Sequence, residues 1–187
     1  FPAMKSRILT VPNQLTFLRF GFLPFFVISI WYDHYDWALG VLIAAALSDL
    51  LDGVLARHLN QKTELGAYLD PIADKLLLSS SFLLLAMKHK VVWWLTILVL
   101  ARDLLILITA AAILLVVGYR PFPPSLYGKF TTGVQIIFIF LVVASTATNY
   151  RALDILEEVF VFLVAGLTIF SGVHYSFVIA KRLSGPQ

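Results

Sequence analysis

Six stretches of mostly apolar residues alternate with short polar breaks along the chain. Each is close to the roughly 20 residues that an α-helix needs to cross the ~30 Å hydrocarbon core of a bilayer. Ahead of them, residues 1–14 mix basic and apolar side chains, which predicts a short segment lying on the membrane surface. The pattern therefore predicts an all-α integral membrane protein, a single domain with this N-terminal interfacial segment and six transmembrane helices near residues 15–31, 37–58, 69–87, 91–117, 127–148 and 153–180.

The composition agrees with a membrane protein. Of the 187 residues, 60% are hydrophobic and 13% are charged, whereas soluble domains have about 45–50% and about 25%. The net charge of +3 is typical of contact with anionic lipid headgroups, so we expect no nucleic-acid partner. The chain has no cysteine, which excludes disulfides and thiolate chemistry. We expect no cleavable signal peptide, because the first apolar run continues past any cleavage site.

The basic residues predict how the helices are oriented. If both termini are cytoplasmic, nine Lys and Arg residues flank that face of the membrane and three flank the other. Because cytoplasmic loops of membrane proteins carry the excess of Lys and Arg, we expect both termini in the cytoplasm.

Four aspartates lie in or beside two of the predicted spans: Asp49, Asp52, Asp70 and Asp74. An aspartate at the centre of a transmembrane helix costs about 2.5–3.5 kcal/mol, so four without compensation would cost on the order of 10 kcal/mol. Cations in a watery cavity would remove that cost. A set of carboxylates without His or Cys suits Mg²⁺ or Mn²⁺ and not zinc.

The spacing of the aspartates predicts two helix faces that meet. Asp49 and Asp52 stand at i and i+3, and Asp70 and Asp74 stand at i and i+4, so each pair shares one face. Because proline is tolerated in the first turn of a helix, Pro71 predicts that the third helix begins near residue 69 or 70. That start leaves Gly66 in the preceding loop. A short loop would bring both pairs of carboxylates to one metal site.

Small residues and one arginine accompany the aspartates. Gly53 and Ala56 share the helix face of Asp49 and leave room for a ligand against the backbone, with close helix packing as the alternative. Arg57 can donate two hydrogen bonds to a phosphate. The alternative for Arg57 is an ordinary anchor at the cytoplasmic end of a helix.

The sequence from Asp49 to Asp74 reads D-x2-D-G-x2-A-R-x8-G-x3-D-x3-D. This pattern resembles the signature of the CDP-alcohol phosphatidyltransferases at every specified position. The resemblance extends over nearly the whole chain and includes Pro12 and Asn13, with Thr16 and Arg19, at the entry to the first span. It is closest to the subgroup of phosphatidylglycerophosphate synthases and cardiolipin synthases.

The resemblance implies a homodimeric enzyme of a bacterial plasma membrane that transfers a phosphatidyl group from CDP-diacylglycerol to an alcohol and releases CMP. It implies a polar cavity facing the cytoplasm, in which the four aspartates bind two divalent cations, Mg²⁺ or Mn²⁺. Asp74 is also implied as the general base. Gly53, Ala56 and Gly66 are implied to flank the cytidine, and Arg57 to contact the diphosphate. This chemistry is physically consistent, because metals neutralise a diphosphate while a carboxylate takes the proton of the acceptor hydroxyl.

A second charged group, around Arg102 in the fourth span, could bind the acceptor alcohol. Arg102, Arg120 and Lys129 form a basic set that favours a phosphomonoester, so glycerol 3-phosphate is the first expectation. An ion pair between Arg102 and Asp103 is the structural alternative, although adjacent residues point in different directions on a helix.

The sequence after Arg102 departs from one subgroup. Typical bacterial phosphatidylglycerophosphate synthases carry Arg-Glu where this chain has Arg102-Asp103, and a further arginine later in that span. Residues 104–117 are uncharged here. The departure keeps phosphatidylglycerol, whose product would be cardiolipin, as the alternative acceptor.

Two other classes of protein also place carboxylates in membranes. A transporter or channel would use them to carry ions, but it gives no reason for the spacing of Gly53, Ala56, Arg57 and Gly66. An aspartate-rich membrane prenyltransferase would need its two acidic motifs on separate hairpins and more than six spans. The phosphatidyltransferase is therefore the favoured interpretation.

Overall fold

The computed structural model describes the backbone of residues 11–59, 64–117, 126–148 and 150–183, and the side chains of residues 21–48, 75–108, 127–148 and 150–177. Within these ranges the secondary structure is helical, without strands. The six helices are α1 (Val11–Trp31), α2 (Tyr35–Leu59), α3 (Glu64–Met87), α4 (Trp93–Val117), α5 (Leu126–Thr148) and α6 (Arg151–Leu183). The predicted all-α class and the number of helices are confirmed.

Two helices begin four or more residues earlier than the sequence predicts. Helix α1 begins at Val11 and not near residue 15, so residues 11–14 of the predicted interfacial segment are helical, and residues 1–10 lie outside the described part of the chain. Helix α3 begins at Glu64, so the predicted start near residue 69 and the placement of Gly66 in a loop are wrong. Pro71 is the eighth residue of α3. Membrane helices tolerate an interior proline because neighbouring groups can satisfy the freed carbonyl, and α1 likewise contains Pro24.

Two tight turns have helix caps of the same type. After α1, His34 N–H donates to the Ser29 carbonyl (2.8 Å) and Asp33 N–H to the Ile30 carbonyl (3.1 Å). After α3, Lys90 N–H donates to Leu85 (2.8 Å) in the same pattern, which is a Schellman cap. The residue with a left-handed backbone conformation is Asp33 in the first cap (φ 61°) and His89 in the second (φ 57°). These caps let helices follow each other within a few residues.

The chain divides into two compact units, Phe1–Leu84 and Leu85–Gln187, with the boundary inside α3. In the first unit, α1 packs along α2, with Phe26, Ile30 and Ala38 fully buried. In the second unit, α6 packs against both α5 and α4. Helix α6 is therefore the element that joins α4 and α5 in the second unit.

Large apolar side chains are exposed on all six helices, among them Phe25, Ile43, Leu83, Ile97, Ile136 and Phe162. An exposed apolar surface of this extent is unusual for a soluble monomer. Within the described residues, Tyr127–Thr148 is long and apolar enough to cross a membrane, and shorter apolar helical stretches occupy Gly21–Trp31, Tyr35–Ser48 and Lys75–Met87. Six membrane spans remain a prediction.

Candidate functional site

The eight motif positions lie on two consecutive helices. Helix α2 carries Asp49, Asp52, Gly53, Ala56 and Arg57, and helix α3 carries Gly66, Asp70 and Asp74. Their side chains lie outside the described residues, so the backbone alone positions them. Four residues separate the end of α2 at Leu59 from the start of α3 at Glu64, a separation typical of an antiparallel helix hairpin, and we call this segment the α2–α3 hairpin.

The aspartates of α2 and α3 lie at similar distances from the helix ends that the connection joins. Asp49 lies ten residues before the end of α2, and Asp74 lies ten residues after the start of α3, which is about 15 Å in each helix at 1.5 Å per residue. Asp52 and Asp70 lie seven and six residues from the same ends, or about 10 Å. If α2 and α3 pack antiparallel, the early start of α3 brings each aspartate of α2 level with one of α3. Four carboxylates at two matched depths would fit a pair of hard divalent cations.

The side chains that the structure describes contain no group of three His, Asp or Glu able to hold a metal ion. The motif aspartates are not among those side chains. The α2–α3 hairpin therefore remains the candidate metal site.

Arg102 forms a buried ion pair with its sequence neighbour. Its Nη1 lies 2.8 Å from Asp103 Oδ1, and both side chains are 4% exposed. Its Nη2 donates to Ser171 Oγ on α6 at 2.9 Å, whereas its Nε is buried with no hydrogen-bond partner among the described residues. The sequence analysis considered this ion pair as the alternative to acceptor binding, and the structure contains it. Acceptor binding by Arg102 stays a prediction.

Two further polar contacts join α5 and α6. Gln135 Nε2 donates to Thr168 Oγ1 at 3.1 Å between buried side chains, and Thr131 Oγ1 lies 3.4 Å from the Leu167 carbonyl. Sequence reasoning missed Ser171, Thr168 and Gln135. The sequence pattern that could have identified them is a polar residue on the buried face of an otherwise apolar helix. The same pattern occurs where polar side chains only help helices to pack.

The other two predicted acceptor residues are placed differently. Lys129 is exposed in the first turn of α5. Arg120 lies outside the described residues. The structure therefore does not bring the three predicted basic residues into one described cluster.

The sequence profile of the CDP-alcohol phosphatidyltransferases matches residues 9–170. This chain belongs to that family. The match includes the whole α2–α3 hairpin, Arg102 and Lys129, and it confirms the family resemblance of the motif.

Individual relatives are similar over shorter stretches. The chain is 48% identical over 71 residues to cardiolipin synthase (CMP-forming) of Rattus norvegicus, covering 37% of this chain and 24% of the relative. It is 43% identical over 79 residues to the Homo sapiens protein of that name, covering 42% and 26%. It is 44% identical over 75 residues to CDP-diacylglycerol–glycerol-3-phosphate 3-phosphatidyltransferase of Pseudomonas fluorescens, covering 38% of each. The chain thus spans between about a quarter and two fifths of these relatives.

Proposed function

We propose that this protein transfers a phosphatidyl group from CDP-diacylglycerol to an alcohol and releases CMP. The observation that carries the proposal is the family match over residues 9–170, and the similar distances of the aspartates from the end of α2 and the start of α3 support it. The metal ligands would be Asp49, Asp52, Asp70 and Asp74.

The residues of the hairpin would divide the remaining work. Two bound divalent cations, Mg²⁺ or Mn²⁺, would neutralise the negative charge of the diphosphate and of the departing CMP. Asp74 accepts the proton of the acceptor hydroxyl, and Arg57 donates hydrogen bonds to the diphosphate. Gly53, Ala56 and Gly66 lack bulky side chains and leave space for the cytidine.

Phosphatidylglycerol is our proposed acceptor, which makes cardiolipin the product. Asp103 compensates the charge of Arg102, and residues 104–117 contribute no further charge. A phosphomonoester carries about −1.5 to −2 charges at pH 7 and needs more positive charge than a phosphodiester does. Because Asp103 pairs with Arg102, we place phosphatidylglycerol ahead of glycerol 3-phosphate, the acceptor that the number of basic residues alone led us to expect first. Glycerol 3-phosphate is the second candidate, supported by the exposed Lys129 and by the name of the Pseudomonas fluorescens relative.

We further infer that six helices span a bacterial plasma membrane as a homodimer, with both termini and the hairpin connection cytoplasmic. The tryptophans support this orientation. All four lie beside the connections between α1 and α2 or between α3 and α4, namely Trp31, Trp37, Trp93 and Trp94, and each is 46–73% exposed. Tryptophan is enriched where a membrane helix meets the headgroups.

The test is CMP release by the purified protein from CDP-diacylglycerol and Mg²⁺ with one alcohol at a time. We expect robust release with phosphatidylglycerol, loss of release after EDTA, and recovery with added Mg²⁺ or Mn²⁺. Release with glycerol 3-phosphate but not phosphatidylglycerol would overturn the acceptor, and no release with any alcohol would overturn the reaction.

One substitution separates an enzyme from an ion carrier. Asp74→Asn should lower the rate of CMP release by about 10²–10⁴-fold, the usual contribution of a general base, while CDP-diacylglycerol binding largely survives. Asp36→Asn is the matched control, because Asp36 is exposed at the opposite end of α2. Equal rates in the two variants would remove Asp74 from the mechanism.

A further inference from the structure

The first turns of α1 run beside the aspartate motif within the first compact unit. Helix α1 packs along α2 after a connection of three residues, so positions equally far from that connection lie at the same level. Phe22 lies nine residues before the end of α1 and Ala44 nine residues after the start of α2, and the two line one groove, in agreement with this register. Arg19 lies 12 residues before the end of α1, which makes it level with Leu47, two residues before Asp49.

Arg19 also belongs to the stripe of α1 that packs against α2. Leu15, Arg19, Phe22 and Phe26 follow one another at spacings of four, three and four residues, which keeps them on one side of a helix. Phe26 is fully buried, and Phe22 shares a groove with α2. The side chain of Arg19 lies outside the described residues, so the backbone alone gives its position. A charged residue in such a stripe needs an opposite charge or a polar ligand within the membrane.

The aspartate motif continues the buried face of α2. Ala38 and Ala45 are buried on this helix, and Asp52 follows Ala45 by the same seven residues that separate the two alanines. Asp49 follows Ala45 by four residues, so it shares that face as well. The register and the two helix faces together bring the backbone of Arg19 beside the deeper end of the motif.

The proposed reaction assigns this side of the motif to the acceptor. In phosphoryl transfer the attacking and leaving oxygens lie roughly in line, so the acceptor approaches phosphorus from the side opposite to CMP. The α2 residues proposed to bind the CDP group lie within 53–57, between the aspartates and the end of α2. Arg19 is level with a residue on the other side of those aspartates. Asp74, the proposed base, is likewise the aspartate of α3 farther from the α2–α3 connection.

We propose that Arg19 binds the phosphodiester of the acceptor phosphatidylglycerol. The inference rests on the proposed function and identifies an acceptor residue in the same compact unit as the aspartates. Arginine can donate two hydrogen bonds to the oxygens of one phosphate, and its one positive charge matches the one negative charge of a phosphodiester. Two ordinary roles compete with this one, namely a permanent ion pair with Asp49 and an anchor at the membrane surface.

The first experiment measures steady-state CMP release with each substrate varied in turn. In Arg19→Met we expect the KM for phosphatidylglycerol to rise about 10–100-fold, the usual effect of removing a hydrogen bond to a charged group. Arg19→Lys keeps the charge and loses the paired hydrogen bonds, so the KM should rise less, and this variant provides the test if Arg19→Met does not fold. The KM for CDP-diacylglycerol and the Mg²⁺ concentration that gives half the maximal rate should stay unchanged.

Each competing role predicts a different result. A rise in the KM for CDP-diacylglycerol would assign Arg19 to the donor, and a change in the required Mg²⁺ concentration would indicate an ion pair with Asp49. An unchanged KM for phosphatidylglycerol in Arg19→Met would leave Arg19 as an anchor. Any of these three results would overturn the proposal.

Two matched variants control for packing and for loss of charge. Phe22→Leu changes the next residue of the same stripe, and Arg151→Met removes an exposed arginine from the first turn of α6. Both should keep the wild-type KM for phosphatidylglycerol, even if the unfolding temperature falls. If Phe22→Leu raised this KM as much as Arg19→Met does, the effect would come from packing between α1 and α2, and the proposal would be wrong.

A binding measurement keeps the inference testable apart from the reaction. Isothermal titration calorimetry of the purified protein with dihexanoyl phosphatidylglycerol, in Mg²⁺ and without a donor, should give a Kd at least about tenfold higher in Arg19→Met than in the wild type or Phe22→Leu. Equal Kd values in all three proteins would overturn the role of Arg19 even if the wild type makes cardiolipin. Weaker binding by Arg19→Met alone, in a protein that releases no CMP with any alcohol, would overturn the proposed reaction and leave the phosphodiester site standing.

Discussion

Arg102 and Asp103 show how a long side chain overcomes helix geometry. Adjacent helical residues point about 100° apart, yet Arg102 Nη1 reaches Asp103 Oδ1 while Nη2 reaches Ser171 on α6. Both charges are thereby compensated away from water. Removing one partner of a buried ion pair leaves the other charge uncompensated, whereas replacing both partners by apolar residues is often neutral.

The residue-scale prediction follows from this asymmetry. Asp103→Asn should destabilise the protein by about 3–5 kcal/mol, and the double variant Arg102→Met, Asp103→Leu should be close to the wild type. Thermal unfolding in detergent micelles measures both, with the exposed Glu158→Gln as the control for loss of a carboxylate. A double variant as unstable as the single one would show that the pair contributes net stability.

Helices α5 and α6 are held together by side-chain hydrogen bonds as well as by packing. Apolar contact gives membrane helices little reason to associate, since lipid tails are equally apolar, so hydrogen bonds between helices contribute. Gln135 donates to Thr168 through Nε2, while its Oε1 is buried with no partner among the described residues. Removing the acceptor Thr168 and removing the donor Gln135 should therefore have different effects on stability.

At the element scale, Thr168→Val should lower the unfolding temperature more than Gln135→Leu does. The first variant leaves a buried amide without its acceptor, at a cost of about 1–3 kcal/mol, and the second removes the whole amide. The matched control is Thr132→Val, because the Thr132 hydroxyl bonds only to the Gly128 carbonyl of its own helix among the hydrogen bonds described. A lower unfolding temperature for Gln135→Leu than for Thr168→Val would contradict the prediction.

At the scale of the whole molecule, the exposed apolar side chains on every helix are those expected of a membrane protein. Along the chain, Trp31 and Trp37 flank the capped turn at Asp33, and Trp93 and Trp94 follow the capped turn at His89. If the proposed orientation is right, both turns face away from the cytoplasm and the α2–α3 connection faces toward it.

The absence of cysteine makes this orientation directly measurable. Single variants His34→Cys and His89→Cys should react with a membrane-impermeant maleimide added to intact cells, and Lys62→Cys should react only after the membrane is opened. Val142→Cys, in the buried core of α5, should stay unlabelled in both conditions. Labelling of Lys62→Cys in intact cells would reverse the orientation.

The sequence alone was sufficient for the all-α class, the six helices and the family, because apolar periodicity and fixed motif spacing are local properties of the chain. The predicted start of α3 was wrong, because Pro71 was taken to end any helix before it. Membrane helices tolerate an interior proline, since neighbouring groups can bond to the carbonyl that proline leaves free. Only the tertiary structure could pair Arg102 with Ser171, 69 positions apart. This contact depends on which face of α6 packs against α4. Packing between the two helices determines that face, and the sequence of either helix alone does not.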